Sequence, residues 1–192
     1  MKDRHTSELI ALLKWRYADV SPDEIELCAM RYAALGLNGQ QWASSPLFLQ
    51  KLRERLGIET EAFASPLNRF FPKYYSVFTK DQASFGSLGN FFDSAIDPDT
   101  PVYANPPFTP AILERTIDYL CGRGFDKVVL VTPRWEDAAW YQKLLRNGYT
   151  SSVKNDVPYL HLGTIIYPKI ATILWCKWSD PKFASDDILK LW

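Results

Sequence analysis

Along the chain, apolar residues recur first at three-to-four-residue spacing and later in short unbroken runs, so a helical beginning gives way to an α/β body. Within residues 1–57, Ser21-Pro22-Asp23-Glu24 has the makings of a helix start. A capping serine is followed by proline at the first helical position and a glutamate placed to close a capping box. Ile25, Cys28, Ala29, Tyr32 and Ala33 then share one helical face, with Gly36 as the expected stop. Ser45-Pro46 opens another helix, whose stripe is Phe48, Leu49, Leu52 and Leu56 and whose end is Gly57.

From residue 58 the pattern changes. Ile58 to Ala64 and Pro101 to Asn105 read as short strands. Lys127 to Thr132 (KVVLVT) is a continuous apolar run of the kind buried on both faces of a parallel sheet. Between them, Thr109-Pro110 starts a helix with Ile112, Leu113, Ile117, Leu120 and Cys121 inward, closed by Gly122 and Gly124. Asp137 to Arg146 forms another helix, stopped by Asn147-Gly148. Gly163 to Tyr167 and Ile170 to Trp178 flank Pro168-Lys169 and predict an antiparallel hairpin at the sheet edge. The expected architecture is a doubly wound α/β sheet with an antiparallel edge hairpin and a small N-terminal helical segment. The expected division is a helical cap over 1–57 and a catalytic domain over 58–192.

Composition narrows this picture without redirecting it. The 192 residues are 47% hydrophobic, enough for one buried core. Lys+Arg and Asp+Glu balance at 22 each, so no global positive field draws the chain to duplex nucleic acid. The helical segment carries eight basic and seven acidic residues, which argues against a charged nucleic-acid arm. Aromatic residues make up 15%, mostly as core, with the remainder available to stack on unpaired bases. Cys28, Cys121 and Cys176 are far apart and sit in apolar runs, as reduced buried thiols do. Two histidines, His5 and His161, form no cluster with metal-ligand spacing, so no metal site is expected. No signal-peptide core or 18-residue apolar stretch occurs, and an intracellular, soluble protein without a membrane partner is expected.

The chemistry concentrates at Asn105-Pro106-Pro107-Phe108, on the carboxyl end of a predicted strand, where open α/β sheets form their ligand crevice. Two prolines fix the backbone direction of this turn. Such a turn suits methyl transfer to the exocyclic amine of adenine, a poor nucleophile whose lone pair is delocalised into the ring. The Asn105 side-chain oxygen and the Pro106 carbonyl can each accept one amine N–H and help the nitrogen pyramidalise. Phe108 can stack on the base. Catalysis would then rest on positioning and polarisation, with no metal and no covalent intermediate. Taken alone, the turn could equally terminate a strand before the next helix.

Four segments in fixed order carry a more specific signal: EAFASPLN at 61–68, Phe85-Gly86-Ser87, NPPF at 105–108 and Thr132-Pro133-Arg134-Trp135. Together they resemble the methyltransferase core of the phosphorylated-CTD-interacting-factor family, the cap-specific adenosine-N6 methyltransferases, over about three-fifths of the chain, from Glu61 to Trp178. The resemblance implies a class I, Rossmann-like methyltransferase domain that uses S-adenosylmethionine to make N6-methyladenosine in RNA, with the cap-adjacent adenosine of mRNA as the family substrate. It implies Asn105, Pro106, Pro107 and Phe108 as catalytic residues. Phe63, Ala64, Ser65, Pro66 and Asn68 would replace the usual glycine-rich turn at the cofactor's methionine end. Phe85, Gly86 and Ser87 would lie beside its adenosine, and Asp93, or alternatively Asp97, would hold its ribose. Trp135 and Arg134 would face the substrate, although core packing explains Trp135 equally well.

The chain also departs from the family pattern. No WW domain is expected ahead of the core, Arg134 stands where relatives carry an acidic residue, and the helical segment is short. The primary expectation is an RNA adenosine methyltransferase whose target base is unpaired or flipped out. A DNA adenine-N6 methyltransferase, or an inactive methyltransferase fold that binds nucleic acid or a partner, are the alternatives.

Overall fold

A computed structural model describes residues 4–35 and 41–192. The expected helix stop at Gly36 lies outside the described residues. The chain begins with helices α1 (Arg4–Arg16) and α2 (Pro22–Ala34). At the start of α2, the Ser21 hydroxyl bonds the Glu24 carboxylate at 2.7 Å and accepts from the Glu24 backbone N–H, so two residues satisfy the helix end. A short strand β1 (Trp42–Ser44) and helix α3 (Pro46–Leu56) follow. Gly57 closes α3 with φ +65°, a left-handed turn that glycine adopts without steric cost.

The α/β body comprises β2 (Thr60–Glu61), β3 (Lys73–Tyr74), α4 (Asp81–Phe85), β4 (Val102–Ala104), α5 (Pro110–Gly122), β5 (Lys127–Pro133), α6 (Ala139–Arg146), β6 (Thr150–Lys154), β7 (Tyr159–His161), β8 (Thr164–Ile166), β9 (Thr172–Trp178) and α7 (Ser185–Leu189). Six strands form one mixed sheet in the order β3-β2-β4-β5-β9-β6. The first four are parallel, and β9 runs antiparallel between β5 and β6. Residues 87–89 extend the sheet beyond β3: Leu88 N–H donates to the Tyr74 carbonyl and Ser76 N–H to the Gly89 carbonyl, each at 2.8 Å.

The antiparallel element differs from the expected edge hairpin. Strand β9 lies inside the sheet, and residues 164–166 pair instead with β7 in a separate sheet of order β1-β7-β8. Its seven residues pair with all of β5, and their alternate side chains (Ile173 and Trp175, Leu174 and Cys176) fill the cores on the two faces. A strand so apolar on both faces cannot sit at an edge without exposing one of them.

Helices cover both faces. Leu113, Ile117, Leu120, Trp140 and Leu144 from α5 and α6 pack on Val102, Ala104, Val128 and Leu130. On the other face, the α3 stripe Phe48, Leu49, Leu52 and Leu56 meets Tyr103, Val129 and Val131, together with Ile188 and Leu189 of α7. Helices α1 and α2 form a third cluster with Leu67 and Phe85 above the loops. Cys28 and Cys176 are buried, Cys121 is half-buried, and all three are unpaired thiols; burial pushes those of Cys28 and Cys176 up to about 12. Among the described residues, no helix is long and apolar enough to cross a membrane.

Candidate active site

The first turn after β2 is built by side chains where other α/β folds use glycine. Ala62 N–H donates to the Tyr103 carbonyl and Ala64 N–H to the Tyr75 carbonyl, both at 2.9 Å, which carries the parallel pairing past β2. The chain then bends around Ser65 and Asn68: the Asn68 Oδ1 accepts from Ser65 N–H at 2.8 Å. The Ser65 hydroxyl lies within donating distance of Gln41 Oε1 at 2.6 Å and of Asn68 Oδ1 at 2.9 Å, and its oxygen accepts from Leu67 N–H at 3.2 Å. From outside, Arg16 reaches the Leu67 and Pro66 carbonyls and the Tyr17 hydroxyl donates to the Pro66 carbonyl.

Glu61 anchors the return of this loop. One of its carboxylate oxygens accepts from Phe70 N–H at 3.0 Å and Phe71 N–H at 3.5 Å. Burial pushes its pKa up to about 7 from an ordinary 4.5, against the pull of those two N–H bonds and of Arg69 and Arg16. A carboxyl whose pKa is raised on folding binds more protons when folded, so its contribution to stability is largest below 4.5 and declines as pH rises towards 7. Glu61→Gln is therefore expected to gain on the parent between pH 5 and pH 8. Melting temperatures of both proteins at the two pH values check this, and a constant difference would refute it.

The second turn leaves β4 at Ala104. Two successive prolines lack N–H groups, and Thr109 N–H folds back to the Pro107 carbonyl at 2.7 Å before α5 begins. The Asn105 side-chain nitrogen donates to the Trp42 carbonyl of β1 at 3.0 Å. A carbonyl can only accept, so Oδ1 is the amide atom left to receive a hydrogen bond.

Between the two turns lies a cavity of about 410 Å³ at the carboxyl edge of β2, β3 and β4. Of the residues singled out in the sequence, Phe63, Ala64, Ser65, Asn68, Asn105 and Pro107 line it. Pro106 is buried behind them. Phe108 packs half-buried among the residues around Tyr103, together with Trp42 and Ile166. The other candidates stand outside the lining. Pro66 is bound by Tyr17. Phe85 packs edge-on to Tyr17 at 5.1 Å, and Gly86, φ +75°, ends α4. Ser87 bonds Ser76 at 2.7 Å and so touches the site through a neighbour. Asp93 and Asp97 are exposed, Arg134 is paired with Glu136 at 2.6 Å, and Trp135 is 37% exposed.

Sequence reasoning passed over several residues that the fold brings in. Gln41 and Trp42 close one side of the cavity, and Tyr75, Ser76 and Asn90 continue its floor. Asn90 caps a single 3-10 turn over Phe91–Asp93 by accepting from Phe92 N–H at 3.0 Å; the Gly89-Asn90 pair was a usable turn signal. Phe63, Phe91 and Phe92 pack edge to face at 5.6 Å from Phe63, and the Arg115 guanidinium stacks on Phe92 at 4.2 Å. Among the described lining residues Arg115 carries the only formal charge. Among the described residues, no group of His, Cys, Asp and Glu could hold a metal ion.

An open, mostly parallel α/β sheet with a ligand-sized cavity at its carboxyl edge defines the class. The family model described as "Phosphorylated CTD interacting factor 1 WW domain" matches residues 7–157, and the chain belongs to this family. That description attaches the WW label to a span running from within α1 to beyond β6, at odds with the expectation that no WW domain precedes the core. The human protein named mRNA (2'-O-methyladenosine-N(6)-)-methyltransferase is 36% identical over 90 residues, covering 46% of this chain and 12% of the relative. The mouse protein of the same name is 34% identical over 93 residues, with the same shares covered. The similarity thus spans about an eighth of each relative's length.

Proposed function

We propose that the chain is an S-adenosylmethionine-dependent methyltransferase of the class I fold that acts on the N6 amine of adenosine in RNA. The observation that carries this reading is Asn105, whose amide is fixed through its nitrogen and which lines a cavity shared with the Phe63–Asn68 turn. The sheet supports the fold reading, because three of its four parallel strands end at that cavity and one reversed strand lies beside the fourth. The names of the human and mouse relatives support the reaction and the RNA substrate.

The lining suits the cofactor. Its Phe63, Phe91 and Phe92 rings offer π faces to an adenine and to a sulfonium, and Arg115 offers a cation to a carboxylate. The amides of Gln41, Asn68 and Asn90 offer neutral partners to ribose hydroxyls, the task expected of Asp93 or Asp97. When bound, S-adenosylmethionine supplies an activated methyl group. The chain's part is to hold the acceptor amine. Asn105 Oδ1 and the Pro106 carbonyl each take one N–H, which draws the nitrogen out of conjugation. The half-buried Phe108 ring is the part of the turn proposed for base stacking, and the exposed Trp135 and Arg134 are proposed as further substrate contacts. A base paired in a duplex cannot reach this turn, so the target is unpaired or flipped.

The test is methyl transfer from labelled S-adenosylmethionine to capped RNA beginning with adenosine, uncapped RNA and single-stranded DNA. Transfer to RNA that exceeds transfer to DNA is the expected result, with a further preference for the capped substrate. Transfer to DNA alone would overturn the substrate assignment. No transfer to any substrate would overturn the reaction.

A further inference from the structure

The extended segment Gln41–Ser44 makes a separate bond to each part of the site. The Gln41 Oε1 receives the Ser65 hydroxyl at 2.6 Å, the Trp42 carbonyl receives the Asn105 amide at 3.0 Å, and the Ser44 and Tyr103 hydroxyls share a buried bond of 2.6 Å. Its far side is held by pairing with β7, Trp42 opposite His161 through Ser44 opposite Tyr159, and by the Trp42 ring against Tyr159 at 5.6 Å. The segment therefore crosses the carboxyl ends of β2 and β4 and is itself fixed from behind. Both Gln41 and Trp42 also line the cavity.

From this we infer that Gln41–Ser44 is a positioning clasp. Through the Trp42 carbonyl it sets the orientation of the Asn105 amide, and through Gln41 it ties that setting to the Phe63–Asn68 turn. An isolated asparagine presents its N–H₂ and its oxygen interchangeably, and only one of the two accepts an amine proton. The Trp42 carbonyl removes this ambiguity before substrate arrives, so the ordering cost is met on folding. The inference rests on the reading of Asn105 as the acceptor, yet the bond it depends on is measurable without turnover. Gln41–Ser44 itself touches no reacting atom and acts through Asn105.

Asn105→Asp separates the two roles of the amide. A carboxylate accepts amine protons at least as well as an amide oxygen, but it cannot donate to the Trp42 carbonyl unless it is protonated. The variant is expected to melt about 4 °C or more below the parent at pH 8 and to recover most of that gap only at about pH 4, near the ordinary aspartate pKa. Arg115 is the one charged side chain among the described lining residues, so the comparison is repeated on an Arg115→Met background to remove its pull on the new carboxylate. No gap at pH 8, or a gap equal at both pH values, overturns the clasp whether or not the chain methylates anything.

A second arm reads positioning in catalysis. Ser44→Ala removes the tether to Tyr103 and leaves Asn105 and the cavity lining intact. We expect kcat on adenosine-containing RNA to fall about tenfold while KM for S-adenosylmethionine stays within about twofold, and Ser44→Thr to restore kcat. An unchanged kcat in a folded Ser44→Ala protein overturns the inference. Inactivity of the parent itself overturns the methyltransferase reading instead, and the melting comparison then decides the clasp alone.

Discussion

Asn105→Ala is expected to lower kcat for methyl transfer by about 100-fold to 1,000-fold, the loss typical of removing one fixed polar group aimed at a developing charge. Its side chain does two things in the fold. The nitrogen binds the Trp42 carbonyl, which leaves the oxygen as the amide atom able to accept, in a residue that lines the cavity. Alanine removes both, but it leaves the aromatic wall and the Ser65–Asn68 bend untouched. S-adenosylmethionine affinity by calorimetry is therefore expected to change by less than about threefold while kcat collapses. Equal losses in affinity and kcat would assign Asn105 to cofactor binding.

The largest expected effect on stability belongs to Asp81, which lies outside the cavity lining. Its carboxylate is fully buried and receives the Arg31 guanidinium at 3.2 Å and the Tyr32 hydroxyl at 3.0 Å. Burial raises its pKa, and the Tyr32 bond and Arg31 charge oppose that rise. These bonds fasten α2 to α4, and Tyr32 borders the cavity. Asp81→Ala leaves a guanidinium and a hydroxyl without their partner, which costs about 3–5 kcal/mol for a buried pair broken on one side. Denaturant titration measures the loss. A change under about 1 kcal/mol would show that α1 and α2 are held by their apolar contacts with Leu67 and Phe85 and by the Arg16 and Tyr17 bonds, with little from Asp81.

Longer periodic segments were legible because their burial and their sequence pattern are the same fact. The α2 face of Ile25, Cys28, Ala29 and Tyr32 and the α3 stripe are buried where the spacing placed them. The run at 127–133 is buried almost throughout, as a central strand must be. The two-residue strands β2 and β3 were illegible or blurred, since a period of two cannot show in two residues. Strand β6 is mostly exposed and polar, so TSSVK carries no apolar alternation. The partner of β9 was misread because Pro168-Lys169 suggests a local hairpin, whereas the pairings that form are with β5 and β6, earlier in the chain.

The site divided along a similar line. Turns made of proline, asparagine and serine at strand ends announce themselves by residue type, and those at 63–68 and 105–108 both border the cavity. Trp42 gave no signal because it serves Asn105 through a backbone carbonyl, a group every residue possesses. Gln41 and Arg115 come from distant segments that only the tertiary fold assembles. Asp93, expected at the cofactor's ribose, is exposed, while Asn90, three residues earlier, borders the cavity.

The most direct measurement is mass spectrometry of nucleosides from adenosine-initiated capped RNA after incubation with the protein and S-adenosylmethionine. The expected product is a nucleoside methylated at N6 of the first adenosine, formed by the parent and reduced to trace by Asn105→Ala. RNA that returns unmethylated, from a protein whose melting temperature S-adenosylmethionine does not raise, would contradict the proposed reaction.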